Sequence, residues 1–136
     1  FKVTFTYANG VKLHCKSSGP RGVKFEGAAG WLFIGIHGGH LSASDPDILR
    51  SKIGPGDVHL HKSPGHRQDF LRAVRTRGDT VAPAEVGHRT ASLCHLANIA
   101  MLVGRKLRFD PDRERFVNDP GADRLLTRAM REPWHL

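Results

Sequence analysis

Paired histidines are the residues whose types and spacing come nearest to chemistry in this chain: His37 with His40, His59 with His61, and His88 with His95. Side chains two apart on a strand, or seven apart on a helix, share a face, so the His59/His61 spacing permits co-ligation of an ion without demanding it, and His88 and His95 point the same way. A hydrolytic zinc site of the H-E-x-x-H type is absent. No carboxylate or cysteine completes any of the pairs at zinc spacing. Polar surface or sheet-face histidines are therefore favoured over ligands, and no metal residue is assigned.

Phosphate cradles fare no better. The tight glycine cluster Gly35-Ile36-His37-Gly38-Gly39 is not followed by a helix start, whereas a dinucleotide fingerprint needs strand, G-x-G-x-x-G and helix in order. It reads as a sharp strand exit, and no cofactor-binding residue is assigned. There is no G-x-S-x-G elbow or Cys-His-Asn arrangement, and Ser92 and Cys94 fall inside a helical pattern, where a nucleophile is seldom presented. No catalytic residue is assigned either.

A formal net charge of +8 and a pI near 10.2 favour anionic partners, so nucleic acid must be weighed. The basic residues are mostly scattered singles and pairs. The one dense helical cluster, Arg67, Arg72, Arg75 and Arg77, has no aromatic platform interleaved for base stacking, and a solvated helix face is the favoured reading.

These residues need a scaffold. At 136 residues a single domain with one core is expected across 1–136. Phe1, Val3, Phe5 and Tyr7 alternate with polar residues, Val11, Leu13 and Cys15 do so again, and Asn9-Gly10 between them signals a hairpin with a type I′ turn. Gly22–Ile36 then holds two strand-like runs joined by a short glycine-flanked connection, the second including Trp31–Ile36. The second is apolar at nearly every position and is expected to be covered on both faces. Leu41–Ser44 suggests a short further strand, and residues 45–64 a proline-rich loop with an extended piece at Val58–His61.

The second half changes period. Ser63 and Pro64 are placed to open a helix carrying Phe70, Leu71, Ala73 and Val74 inward and ending near Gly78. Pro83 opens a longer one through Val103, with a Val81/Val86 staple and a stop at Gly104. That long helix is apolar around most of its circumference and is expected to lie across the sheet as the buried backbone of the fold. A small hairpin, Leu107–Phe109 with Arg115–Val117 about Asp110-Pro111-Asp112, precedes a final helix presenting Leu125, Leu126, Ala129 and Met130. Strands followed by helices imply an α+β fold: an open, mainly antiparallel sheet with helices packed on one face.

No apolar run is long enough for a membrane span. Cys15 and Cys94 are too few for a disulfide framework and form no C-x-x-C pair, so a reduced, cytoplasmic setting is the expectation. The chain opens in mid-strand without an initiator Met and is expected to be cut from something longer, any export signal being lost with the missing part.

Three stretches together carry a family resemblance. Val23-Lys24-Phe25-Glu26-Gly27-Ala28-Ala29-Gly30-Trp31-Leu32 resembles the V-x-F-x-G-x-x-G-x-L/V strand pair of the C-terminal domains of Gfo/Idh/MocA (glucose-fructose oxidoreductase/inositol dehydrogenase) proteins. Gly65–Leu71 through Pro83–Thr90 resembles the helix, loop and helix that close such domains. Gly104–Asp110 to Pro133-Trp134 is similar to the tail of a bacterial subgroup common in planctomycete-like genomes.

The resemblance spans essentially the whole chain. It implies a substrate-binding and oligomerisation domain of an oxidoreductase that exchanges hydride between NAD or NADP and a carbinol carbon of a sugar or cyclitol. The cofactor would be bound by an N-terminal Rossmann domain, whose glycines and E-K-P-type lysine have no counterpart here, so this chain by itself is not expected to be catalytically active. The implied partners are that Rossmann domain, a sugar-like small molecule, and a second copy through the open sheet face, with neither nucleic acid nor membrane. A freestanding binding or assembly module is the main alternative, and a basic nucleic-acid-binding domain the weaker one.

Overall fold

The computed structural model describes residues 1–36 and 39–134. The chain opens with an antiparallel hairpin of β1 (Lys2–Thr6) and β2 (Lys12–Lys16), in which Val3, Phe5, Leu13 and Cys15 turn to the less exposed side. Its turn is not the expected type I′. Gly10 has φ 85°, but Asn9 is not among the residues of positive φ. Gly10 N–H donates to Tyr7 O at 3.0 Å, Tyr7 N–H to Val11 O at 2.9 Å, and Asn9 Oδ1 accepts from Val11 N–H at 3.1 Å. This is a longer loop closed by one left-handed glycine. The Asn side chain caps the backbone, which relieves Asn9 of adopting the left-handed conformation itself.

Strands β3 (Gly22–Gly27), β4 (Gly30–Gly35) and β5 (Leu41–Ala43) form a second antiparallel sheet with β4 in the middle. Register places Lys24 opposite Phe33 and Phe33 opposite Ser42, with Phe25 opposite Leu32 and Leu32 opposite Ala43. Gly30, at φ 136°, cannot be replaced without collision: a Cβ there would lie 2.2 Å from Ser44 Oγ. That hydroxyl accepts from Trp31 N–H at 3.0 Å and pins the end of β5 to the start of β4.

The proline-rich stretch after β5 contains a short helix, α1 (Pro46–Arg50), that the loop reading passed over. Asp45 caps it, its carboxylate accepting from Asp47 N–H at 2.9 Å, and Pro46 occupies the first turn. The expected extended piece at Val58–His61 is not a strand, and Val58 and Leu60 are almost fully exposed.

Helix α2 (His66–Thr76) begins after Gly65, two residues later than the Ser63-Pro64 signal. Ser63 Oγ instead accepts from Gly65 N–H at 3.2 Å, bracing the entry. The helix buries Asp69 and Ala73, while Phe70, Leu71 and Val74, expected inward, are exposed. A carboxylate explains the orientation. Asp69, 2% exposed, accepts from Arg72 Nη2 at 2.9 Å and from Val81 N–H at 2.7 Å, and Arg72 Nη2 also donates to Asp79 O at 2.7 Å. This polar clamp ties α2 to the loop that follows it, and the helix is rolled so that Asp69 faces that loop.

Helix α3 (Ala84–Val103) has the expected bounds, with Gly104 at φ 70° donating to Ala100 O at 3.0 Å. Its packing differs from expectation. Of its apolar residues only Ile99 is fully buried, and Val86, Met101 and Leu102 are exposed, as is Val81 of the expected staple. Ile99 packs in a cluster with Phe116 and Ala122, flanked by Leu96, Val103, Leu107, Phe109 and Leu126, so the core here is made with the C-terminal segment.

That segment holds β6 (Phe109–Asp110) and β7 (Arg115–Phe116), whose facing rings Phe109 and Phe116 meet edge to face at 5.4 Å. Asp110 Oδ1 accepts from the backbone N–H groups of Asp112 and Arg113 and shapes the turn. The final helix is one turn only, α4 (Pro120–Asp123). Beyond it Leu125 and Leu126 bond back to Ala122 and Asp123 in tight turns, and Leu125 and Met130 stay exposed rather than forming the expected apolar face.

The result is mixed helices with open antiparallel sheets, an α+β domain. It resolves into two compact units, one with β3, β4, β5 and α1, the other with α2, α3, β6, β7 and α4, and the residues of the first hairpin are shared between them. Among the described residues no helix is long and apolar enough to cross a membrane.

Candidate functional site

The β3–β5 sheet has two chemically distinct faces, because side chains alternate along each strand and cross-strand neighbours share a side. One face carries Lys24, Glu26, Trp31, Phe33 and Ser42, the other Val23, Phe25, Leu32, Ile34, Leu41 and Ala43. On the first, Lys24 Nζ donates to Glu26 Oε1 at 2.5 Å and sits 4.8 Å from the centre of the Trp31 ring. A cation shared between a carboxylate and a π face is held more firmly than by either alone. The hydrogen bond from Lys24, and then its charge, hold the Glu26 carboxyl below the usual carboxylate range.

On the second face Val23, Phe25, Ile34 and Leu41 are exposed. The continuously apolar run of β4 is thus not covered twice. At the hairpin end the sheet and α1 frame a concavity of about 380 Å³, with Phe25, Trp31, Leu32 and Ile48 among the residues lining it. It is mainly apolar, and its polar edge is Glu26.

His59 Nε2 lies 2.9 Å from Gly54 O, in a loop that Asp57 also braces by accepting from Gly54 N–H at 2.7 Å. His88 and His95 share a side of α3, but His88 Nε2 is engaged by Glu114 Oε1 at 2.6 Å. His37 lies outside the described residues, so its pairing with His40 and the glycine exit around Gly38 are not described. Among the described residues no three His, Cys, Asp or Glu side chains lie close enough to hold a metal ion. Ser92 is half-buried within α3, Cys94 is exposed, and Cys15 is half-buried on β2.

Two ionic clusters escaped the sequence reading. Around Glu114, whose φ is 52°, His88 and Arg89 converge. Arg89 Nη1 donates to Glu114 Oε1 at 3.1 Å and to Pro111 O at 2.9 Å, while its Nε donates to Glu85 Oε1 at 2.7 Å. The His88 hydrogen bond foremost, then the charges of His88 and Arg89, lower the Glu114 pKa. Nearby in sequence, Arg105 grips Asp119 with both terminal nitrogens. Asp119 also caps α4, and those bonds hold its carboxyl below the usual range. The i,i+4 spacing of Glu85 and Arg89 was a usable signal, but no local pattern announces a contact with Glu114. Both clusters fasten elements together.

The described residues thus form an α+β domain with an open antiparallel sheet, one face of which is polar and aromatic. The particular family follows from comparison: the family model described as oxidoreductase family, C-terminal alpha/beta domain, of Gfo/Idh/MocA type, matches residues 1–136, and the chain belongs to that family. No curated protein and no solved structure matches it.

Proposed function

We propose that this chain is the substrate-side and assembly domain of an NAD(P)-dependent oxidoreductase acting on a hydroxyl-bearing carbon of a sugar or cyclitol. The observation that carries the reading is the family match over the whole of 1–136. Of the two longer described helices, α2 follows Gly65 and α3 follows Pro83, neither directly after a strand and a glycine fingerprint, and α1 is a single short turn. In this reading, which the family match supports, the nicotinamide that supplies the hydride acceptor or donor is held by a companion Rossmann domain, and no step of the reaction is routed through residues here.

The contribution of this chain is a wall. Trp31 with Lys24 and Glu26 offers an apolar ring beside hydrogen-bonding charges, a combination suited to a ligand with both C–H faces and hydroxyls. The apolar face of Val23, Phe25, Ile34 and Leu41 supports homo-oligomerisation, a two-fold dimer being the commonest closed arrangement. A bacterial source of the planctomycete-like subgroup and a cytoplasmic setting belong to the same reading.

The test is a dehydrogenase assay of the full natural gene product with NAD⁺ and NADP⁺ across a panel of sugars and cyclitols, beside Trp31→Ala. Turnover in which the variant raises KM more than it lowers kcat supports the reading. A gene product with no dinucleotide-binding domain and no turnover overturns it and leaves a freestanding binding module.

A further inference from the structure

The described carboxylates are largely consumed internally. Those with neither a hydrogen bond nor an ion pair from their side chains are Asp79, Asp112 and Glu132, whereas Arg67, Arg75 and Arg77 of the α2 region have no carboxylate partner. A net charge of +8 favours encounter with anions, and a second copy brings few free carboxylates to supply them.

On α2 that excess frames an apolar stripe. Arg67, Phe70, Leu71 and Val74 follow one another at i, i+3, i+4 and i+7 along one side of the helix, with Arg75 at its rim and Arg77 at its C-terminal cap. Phe70 is 61% exposed, and Leu71 and Val74 about half. The helix is anchored from beneath through Asp69, so this side is presented on a fixed support.

We propose that this face of α2 docks an acidic, amphipathic protein segment, an element with apolar residues at helical spacing bordered by carboxylates. The occupant must bury aliphatic as well as aromatic surface and neutralise cations at both ends of the stripe. A nucleic acid would meet the arginines with phosphate but leave Leu71 and Val74 against water, and a second copy is short of carboxylates.

The 136-residue chain is titrated by fluorescence anisotropy with a labelled helical peptide of leucine and glutamate, its leucines on one face. A peptide of the same composition with scrambled order and a single-stranded oligonucleotide are the controls. The ordered peptide is expected to bind saturably and at least tenfold more tightly than the scrambled one. Arg67→Glu/Arg75→Glu and, separately, Leu71→Ser should each weaken it about tenfold or more with unchanged circular dichroism and melting, since these side chains are exposed. Equal binding of the two peptides, no binding, or indifference to Leu71→Ser overturns the proposal. Tight oligonucleotide binding lost on arginine reversal but not in Leu71→Ser replaces it with a nucleic-acid site.

Discussion

Replacing Asp69 by alanine removes a buried acceptor on which α2 and the following loop converge. The carboxylate is 2% exposed and takes the Val81 N–H at 2.7 Å and Arg72 Nη2 at 2.9 Å. Hydrogen bonds to a charged group contribute about 1.5–3 kcal/mol each. The Arg72 share is discounted, because its side chain is 39% exposed and regains water when the carboxylate is gone. The loss expected for Asp69→Ala is therefore about 2–4 kcal/mol, and for Asp69→Asn, which keeps an acceptor for Val81 N–H, roughly half of that. Urea denaturation followed by amide exchange at Val81 and along α2 reads both the size and the place of the effect. A loss below about 0.5 kcal/mol, the level of an ordinary surface change, or equal losses for Ala and Asn, would refute the clamp.

Truncating Ile99 to Ala should cost about 2–5 kcal/mol in chemical denaturation, and Leu96→Ala less, since Leu96 only flanks the cluster that buries Ile99. Glu114 and Asp119 have lowered pKa values, so their contribution is fully present above the ordinary carboxylate range and is lost as pH falls through the lowered values. Melting temperature is thus expected to drop on acidification, and the drop should be shallower in Glu114→Gln/Asp119→Asn, with parallel curves contradicting the assignment. Calorimetric titration of the chain with NAD⁺ or NADP⁺ should give no saturable heat, and a stoichiometric micromolar site would contradict the assignment of the dinucleotide to a companion domain. Sedimentation is expected to show self-association that Phe25→Ser on the apolar sheet face weakens, and a monomer at all concentrations would remove that role.

Much of the fold was legible because its signals are local. Period-two alternation located β1 and β2, a nearly continuous apolar run located β4, Pro83 and Gly104 bracketed α3 to within a residue, and Asp110-Pro111-Asp112 marked the last hairpin, each a matter of local pattern within a few residues. The family, too, was readable from motifs spread over the chain. Three things depended on tertiary structure. The hairpin turn adopted a form in which Asn9 caps rather than turns, a choice between near-equal local conformations. Helix α2 presents Phe70 and Val74 outward because burying one charged clamp at Asp69 outweighed the apolar count on which its face was assigned. Helix α3, apolar nearly all round, carries no periodic instruction about which side to bury, so the pairing of Ile99 with Phe116 and Ala122 was decided by the C-terminal segment folding back to meet it.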